Sequence, residues 1–231
     1  MQPRVHWSPE VTERFPGLAI CTGTINNVNV EKENEQIQKL KKAAYEEVRA
    51  RHNIQTLKDN STVRAYRDFY WKLDIDPTRT RPSGEALLRR VLHGNPLPRI
   101  STVVDAYNLA SMRTIIPISG FDKNRLNPPF QIRFARNGEA FTGIGMNKSL
   151  TLTDKMLVLA DQKRTLCIYP YRDSDHTKIT GQTRNVLIVG YGAPGITREQ
   201  LKEAVETTVS YVKLVSDGKA ETPKAYLDQK S

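Results

Sequence analysis

Residues 95–122 read NPLPRISTVVDAYNLASMRTIIPISGFD, and helical patterning gives way to strand patterning within this stretch. From Ser101 to Thr114 the sequence predicts a helix. Beyond Pro117 it turns β-rich. Asp105, Asn108 and Met112 fall three and four residues apart, on one helical face. Asp and Asn are poor helix formers unless their side chains find partners. The face therefore holds either buried hydrogen bonds that pin the helix or a polar group aimed at a ligand.

Upstream of this junction the pattern is mostly helical. Residues 33–52 carry Ile37, Leu40, Ala44 and Val48 on one stripe, and a second helix after Ser61 carries Val63, Tyr66, Tyr70 and Leu73. Asp76-Pro77 and Arg81-Pro82 interrupt it, and Ser83 is placed to cap a short helix through Leu92. A single strand, Leu18–Ile25, precedes these helices. Downstream, Gln131–Ala135 and Glu139–Gly143 flank Asn137-Gly138, a two-residue hairpin signal. Met156–Ala160, Thr165–Tyr169 and Val186–Val189 are further short strands, and Thr197 with Gln200 forms a capping box that opens a last helix. Helices first and strands later give an α+β fold, a mixed or antiparallel sheet core with flanking helices, rather than alternating βαβ units. We divide the chain into a strand–helix extension (1–63), a main domain (64–216) and a polar tail (217–231) expected to fray.

The chain has 231 residues, with 35 Lys and Arg against 25 Asp and Glu, a net charge of +10. Ten of the basic residues and only three acids fall within residues 77–136, a concentration that suits a polyanionic partner. No run has the length and apolarity of a membrane span, and the N-terminus lacks an apolar secretory core, so a cytoplasmic location is expected. Two cysteines, Cys21 and Cys167, are too few for a disulfide framework or a four-thiolate zinc site.

Generic motifs lead little further. Gly190-Tyr-Gly192-Ala-Pro-Gly195 has the spacing of a dinucleotide loop, but no apolar strand follows the helix to complete a βαβ unit. Ser210 and Lys213 match an S-x-x-K spacing, yet sit deep in the last amphipathic helix. The four histidines are dispersed, and Asp173-Ser174-Asp175-His176 reads as a polar loop rather than a closed metal site. No metal or cofactor is expected.

Arg99-Ile-Ser-Thr-Val-Val-Asp105-Ala-Tyr-Asn108, followed by Pro117-Ile-Ser-Gly-Phe-Asp122, resembles the signature of the editing module of phenylalanyl-tRNA synthetase beta subunits, R-x-x-N-x-V-D-x-T-N-Y and then P-L-H-A-F-D. Weaker likeness runs through Met156–Asp161 and Thr183–Ile188, and Arg81–Arg90 is similar to the module in its free-standing form. The resemblance covers about residues 64–192. It implies hydrolysis of an amino acid wrongly esterified to tRNA, carried out in trans by a detached domain without aminoacylation activity of its own. The alternative it leaves is a non-catalytic module that binds an amino acid or the tRNA acceptor end.

On this resemblance Asn108, Ser119 and the backbone N–H of Gly120 orient water or substrate. Tyr107, Asp105, Tyr169, Arg172, Asp173, Ser174 and Val189 line the substrate, and Arg81, Arg89, Arg90 and Arg99 meet the tRNA. The partner implied is tRNA with an aminoacylated 3′ end. Three positions depart from the family pattern: Ser119 replaces a histidine, Val189 a glutamate, and Tyr169 a small residue. The expectation under test is that Asn108 and the Ser119-Gly120 turn converge on one cavity.

Overall fold

The computed structural model describes residues 4–227. Its helices are α1 (Pro9–Arg14), α2 (Glu35–Arg51), α3 (Ser61–Lys72), α4 (Ser83–Leu92), α5 (Thr102–Thr114) and α6 (Arg198–Ser216). The strands before residue 155 are β1 (Val5–Trp7), β2 (Ala19–Asn26), β3 (Ile118–Asp122), β4 (Phe130–Phe134), β5 (Ala140–Phe141) and β6 (Leu150–Thr151). Those after it are β7 (Leu157–Ala160), β8 (Thr165–Ile168), β9 (Arg172–Asp173), β10 (Asn185–Tyr191), β11 (Lys219–Ala220) and β12 (Lys224–Leu227).

The helices start where local chemistry satisfies their free N–H groups. Ser101 accepts from Val104 N at α5, Asn60 accepts from Thr62 N and Val63 N at α3, and both halves of the Thr197/Gln200 capping box form at α6. Ser83 does not cap α4. It is the first helical residue, and Pro82 takes the cap position without a side-chain bond.

Two five-stranded sheets form the core. One runs β1-β4-β7-β8-β9; the other runs β11-β2-β10-β3, with β12 also paired to β2. The fold is α+β, with helices α5 and α6 packed on one face of the second sheet. Cys21, Gly23 and Gly190 meet α6 on that face, whereas Thr22, Thr24 and Tyr191 point the other way, because side chains alternate along a strand.

Two expectations fail on strand pairing. Gln131–Ala135 and Glu139–Gly143 do not form a hairpin. The turn at Asn137-Gly138 exists, but β4 is occupied on one edge by β1 and on the other by β7, so β5 pairs with β6 instead. The segment after Asp217 is not frayed either: β11 and β12 add to β2, with Tyr226 beside Ile20 and Lys224 beside Thr22. Residues 228–231 of that tail lie outside the described residues. Residues 1–63 contribute β2, which lies between β10 and these C-terminal strands.

Candidate functional site at the edge of β3

Strand β3 is the edge of its sheet, and the quoted motif wraps round it. The ladder to β10 places Ser119 opposite Val189 and Gly120 opposite Ile188. Tyr191 N donates to Pro117 O, so Ser119 and Val189 fall in the next hydrogen-bonded pair, and the N–H of Gly120 is turned away from β10, toward the side on which Lys178 bridges Phe121. Ser119 and Gly120 therefore present opposite faces.

On the helix side, Tyr107 of α5 lies against Gly120. A Cβ there would stand 2.8 Å from Tyr107 Cε1 and 2.9 Å from Ile179 Cδ1, so only glycine lets the ring approach. On the other side, Ser119 Oγ donates to Asp173 Oδ1 at 2.6 Å, a bond that ties β3 to β9 of the other sheet. Asp173 is partly buried, and its carboxyl is pushed up to about 7 by burial, against the opposing pull of the Ser119 hydrogen bond and the nearby Arg172. The Tyr107 phenol is raised by burial and then by the negative charge of Asp173 and Asp105.

A row of hydroxyls extends inward from this edge. Val189 is flanked in register by Ser119 and Thr22, and Leu187 by Phe121 and Thr24. The hydroxyls of Thr24 and Thr177 are buried without a hydrogen-bond partner, while that of Tyr191 lies against Ser119 and Cys167 and that of Tyr226 against Thr22. Buried polar atoms are normally paired, and the orphan hydroxyl of Thr24 beside this cluster marks a place where water or a polar guest would be accommodated. Tyr191 also approaches Cys167, and burial drives both groups strongly toward their protonated forms.

The structure thus brings together Tyr107, Ser119, Gly120, Asp173 and Val189. Ser174 follows Asp173 and is buried, its hydroxyl accepting from His176 N. Asn108 is half-buried on α5, and its amide has no side-chain partner among the described residues. Its neighbour Tyr107, not Asn108, covers Gly120. Asp105 turns to α2, where it pairs with Lys41 at 2.5 Å and accepts from Ile100 N. Tyr169 is wholly buried, donating to Gly192 O at 2.8 Å and meeting the Tyr191 ring edge-on at 4.9 Å, so it fills the space between the sheets. Arg172 is exposed and lies across Gly143.

Among the flagged arginines, Arg89 is held by Glu85, Arg90 donates to Pro96 O, Arg99 lies 3.7 Å from Glu33, and Arg81 is exposed. Gly190 of the glycine-rich stretch sits inside β10 under Val205, as part of a strand. Among the described residues, no three His, Cys, Asp or Glu side chains are grouped to hold a metal, and no helix is long and apolar enough to cross a membrane.

The sequence reading passed over Thr22, Thr24, Tyr191 and Tyr226. One signal was present in LAICTGTI: threonines at a spacing of two inside an otherwise apolar strand put hydroxyls on a single buried face.

An α+β chain with this motif at a sheet edge is matched by the family model of the B3/4 domain over residues 65–215, and the chain belongs to that family. Its relatives include phenylalanine–tRNA ligase beta subunits. That of Pectobacterium atrosepticum is 31% identical over 101 residues, covering 44% of this chain and 13% of the relative. That of Coxiella burnetii is 29% identical over 105 residues, 45% of this chain and again 13% of the relative. The chain thus matches only about an eighth of these much longer proteins. An N-terminal fragment of the phenylalanyl-tRNA synthetase beta subunit from Pyrococcus horikoshii aligns in space with a TM-score of 0.49 at 15% identity, covering 94% of this chain and 50% of that one.

Proposed function

We propose that the chain acts as an editing-type domain that hydrolyses the ester of a misacylated tRNA in trans. The observation that carries this reading is the Ser119–Asp173 pair at 2.6 Å, with a carboxyl pushed up to about 7, beside an edge-strand N–H. A base is most effective when its pKa lies near the working pH, and Asp173 meets that condition without a histidine.

The chemistry needs little more, because an aminoacyl ester is already activated. Asp173 takes a proton from water as the water oxygen bonds to the ester carbonyl carbon. The resulting oxyanion accepts a hydrogen bond from the outward N–H of Gly120, a kind of contact that contributes roughly 2.7–4 kcal/mol in favourable sites. Collapse breaks the bond to the ribose oxygen. That oxygen takes the proton back, and free amino acid and tRNA leave. Ser119 holds the carboxylate in place, Tyr107 walls the helix side, Val189 lies beside Ser119 on the opposite face, and the unpartnered amide of Asn108 orients the substrate. The exposed Arg172 stands at the mouth, where a phosphate of the acceptor end would pass, and the buried Ser174 braces the turn behind it.

The test is release of amino acid from a panel of mischarged tRNAs at micromolar protein, with wild type and Asn108→Ala run together. Turnover of at least one ester, slowed in the variant, supports the reading; a panel left intact removes it. The buried hydroxyls of Thr22, Thr24 and Tyr191, clustered on one face of β2 and β10, favour one second reading, a module that binds a free amino acid without turnover. Thermal stabilisation by that amino acid, with every ester intact, would select it.

A further inference from the structure

The outer side of the first sheet carries a second concave site, remote in sequence from the arginines flagged above. It has a volume of about 650 Å³ and opens between two turns and the β1–β4 pair. One turn, Asp161–Arg164, joins β7 to β8; the other, Arg136–Glu139, leads from β4 to β5. Together they present Arg136, Lys163 and Arg164, with His6 and Gln131 side by side in register on β1 and β4.

Both turns are braced from within. Asp161 accepts from Lys163 N and Arg164 N at 2.8 Å each and from Asn127 N at 2.9 Å. In the other turn, Gly138 takes a φ of +84°, which glycine adopts without strain, and its N–H donates to Leu152 O. Glu139 accepts two bonds from Arg133, at 2.9 and 3.0 Å, as well as bonds from Arg136 N and the Thr165 hydroxyl. Burial alone would raise the Glu139 carboxyl, and these bonds instead hold it down to about 2.

Both carboxylates of the groove are thus consumed by internal bonds. The side chains of Arg136, Lys163 and Arg164 are exposed and have no partner among the described residues. Three free cations on rigid turns, at the rim of a groove wider than a single ion needs, fit a row of phosphates. The aromatic ring in the lining, Phe130, is buried, so the groove offers no platform on which bases could stack.

We propose that this groove docks the phosphodiester backbone of a structured RNA, which, resting on the function proposed above, is the tRNA whose acceptor end reaches β3. Phosphate contacts of this kind position a nucleic acid without reading its sequence.

The test measures binding of unfractionated, uncharged tRNA to the full chain between 50 and 200 mM salt. It compares wild type with the triple variant Arg136→Gln, Lys163→Gln, Arg164→Gln. Lys39→Gln, which removes a cation already paired with Glu35 on α2, serves as the control. The triple variant should bind about tenfold more weakly at 100 mM salt, with the slope of log K against log salt shallower by about two to three, while the control is unchanged. An unchanged melting temperature shows that the variant folds. Unaltered tRNA affinity and slope would overturn the proposal. So would stabilisation by inorganic tripolyphosphate that depends on these three residues while tRNA binding does not, since the groove would then be a small-anion site. Uncharged tRNA carries no ester, so loss of binding in the triple variant upholds the groove even if wild-type protein hydrolyses nothing.

Discussion

Asp105 and Asp173 both bear on the Tyr107 phenol, and they have opposite fates. Asp105 lies inside the helical layer, where the Lys41 ammonium meets it at 2.5 Å and Ile100 N donates to its other oxygen. Asp173 lies between the sheets with a neutral serine as its hydrogen-bond partner, and burial lifts its carboxyl to about 7. The same side chain becomes a structural tether in one place and, in the function proposed above, a proton acceptor in the other. What separates them is whether a full cation offsets the loss of water.

Asp173→Asn tests the difference most strongly. It keeps the shape and removes the base, so ester hydrolysis should fall about 10²- to 10⁴-fold, the usual contribution of general base catalysis. Stability should move the other way. The folded chain holds the Asp173 proton more tightly than the unfolded chain, so the stability this group contributes is full below about pH 4 and is lost as the pH rises to about 7. The variant should therefore flatten the melting temperature between those limits, as calorimetry across that range would record.

Lys41→Met attacks the other aspartate. It leaves Asp105 buried without its counter-charge, and unfolding in denaturant should show a loss of about 3–5 kcal/mol. Catalysis by the fraction that remains folded should persist, because Lys41 lies on α2, away from β3. A smaller effect is expected from Gly120→Ala. The new methyl would meet Tyr107 and Ile179 inside 3 Å, so overpacking should cost about 1–3 kcal/mol in the same assay and slow hydrolysis as the ring shifts. Ser119→Ala should cost least, about 1 kcal/mol. Removing the donor also raises the Asp173 carboxyl further, so the pH–rate profile should move to higher pH.

The comparison also explains what could be read from the sequence. Helices α2, α3, α5 and α6 were legible because their apolar spacings and caps are local signals, and Tyr66, Tyr70, Ala204 and Val205 are buried as those stripes require. The Asn137-Gly138 turn was legible as well, but not its consequence, since the partner of β4 was decided by β7 and β1 rather than by the turn. Strands β11 and β12 were missed because polar residues such as Lys219 and Lys224 extend a sheet edge without burying much apolar surface.

For the site, the motif led to Tyr107, Ser119, Gly120 and Asp173, while Thr22 and Tyr191 were out of reach. Thr22 becomes a neighbour of Ser119 only through pairing of β2 with β10, and Tyr191 only through pairing of β10 with β3, contacts between segments far apart in the chain that no local pattern encodes. The opposite fates of Asp105 and Asp173 were hidden for the same reason, since Lys41 is 64 residues from Asp105.

The most direct measurement is the rate of amino-acid release from a mischarged tRNA between pH 5.5 and about 8, for wild type and Asp173→Asn, each corrected for spontaneous hydrolysis. A wild-type rate that climbs with pH and levels off near 7, together with a low rate in the variant that shows no such step, is the predicted result. Equal rates in the two proteins, or a wild-type rate without a step near 7, would contradict the role given to Asp173.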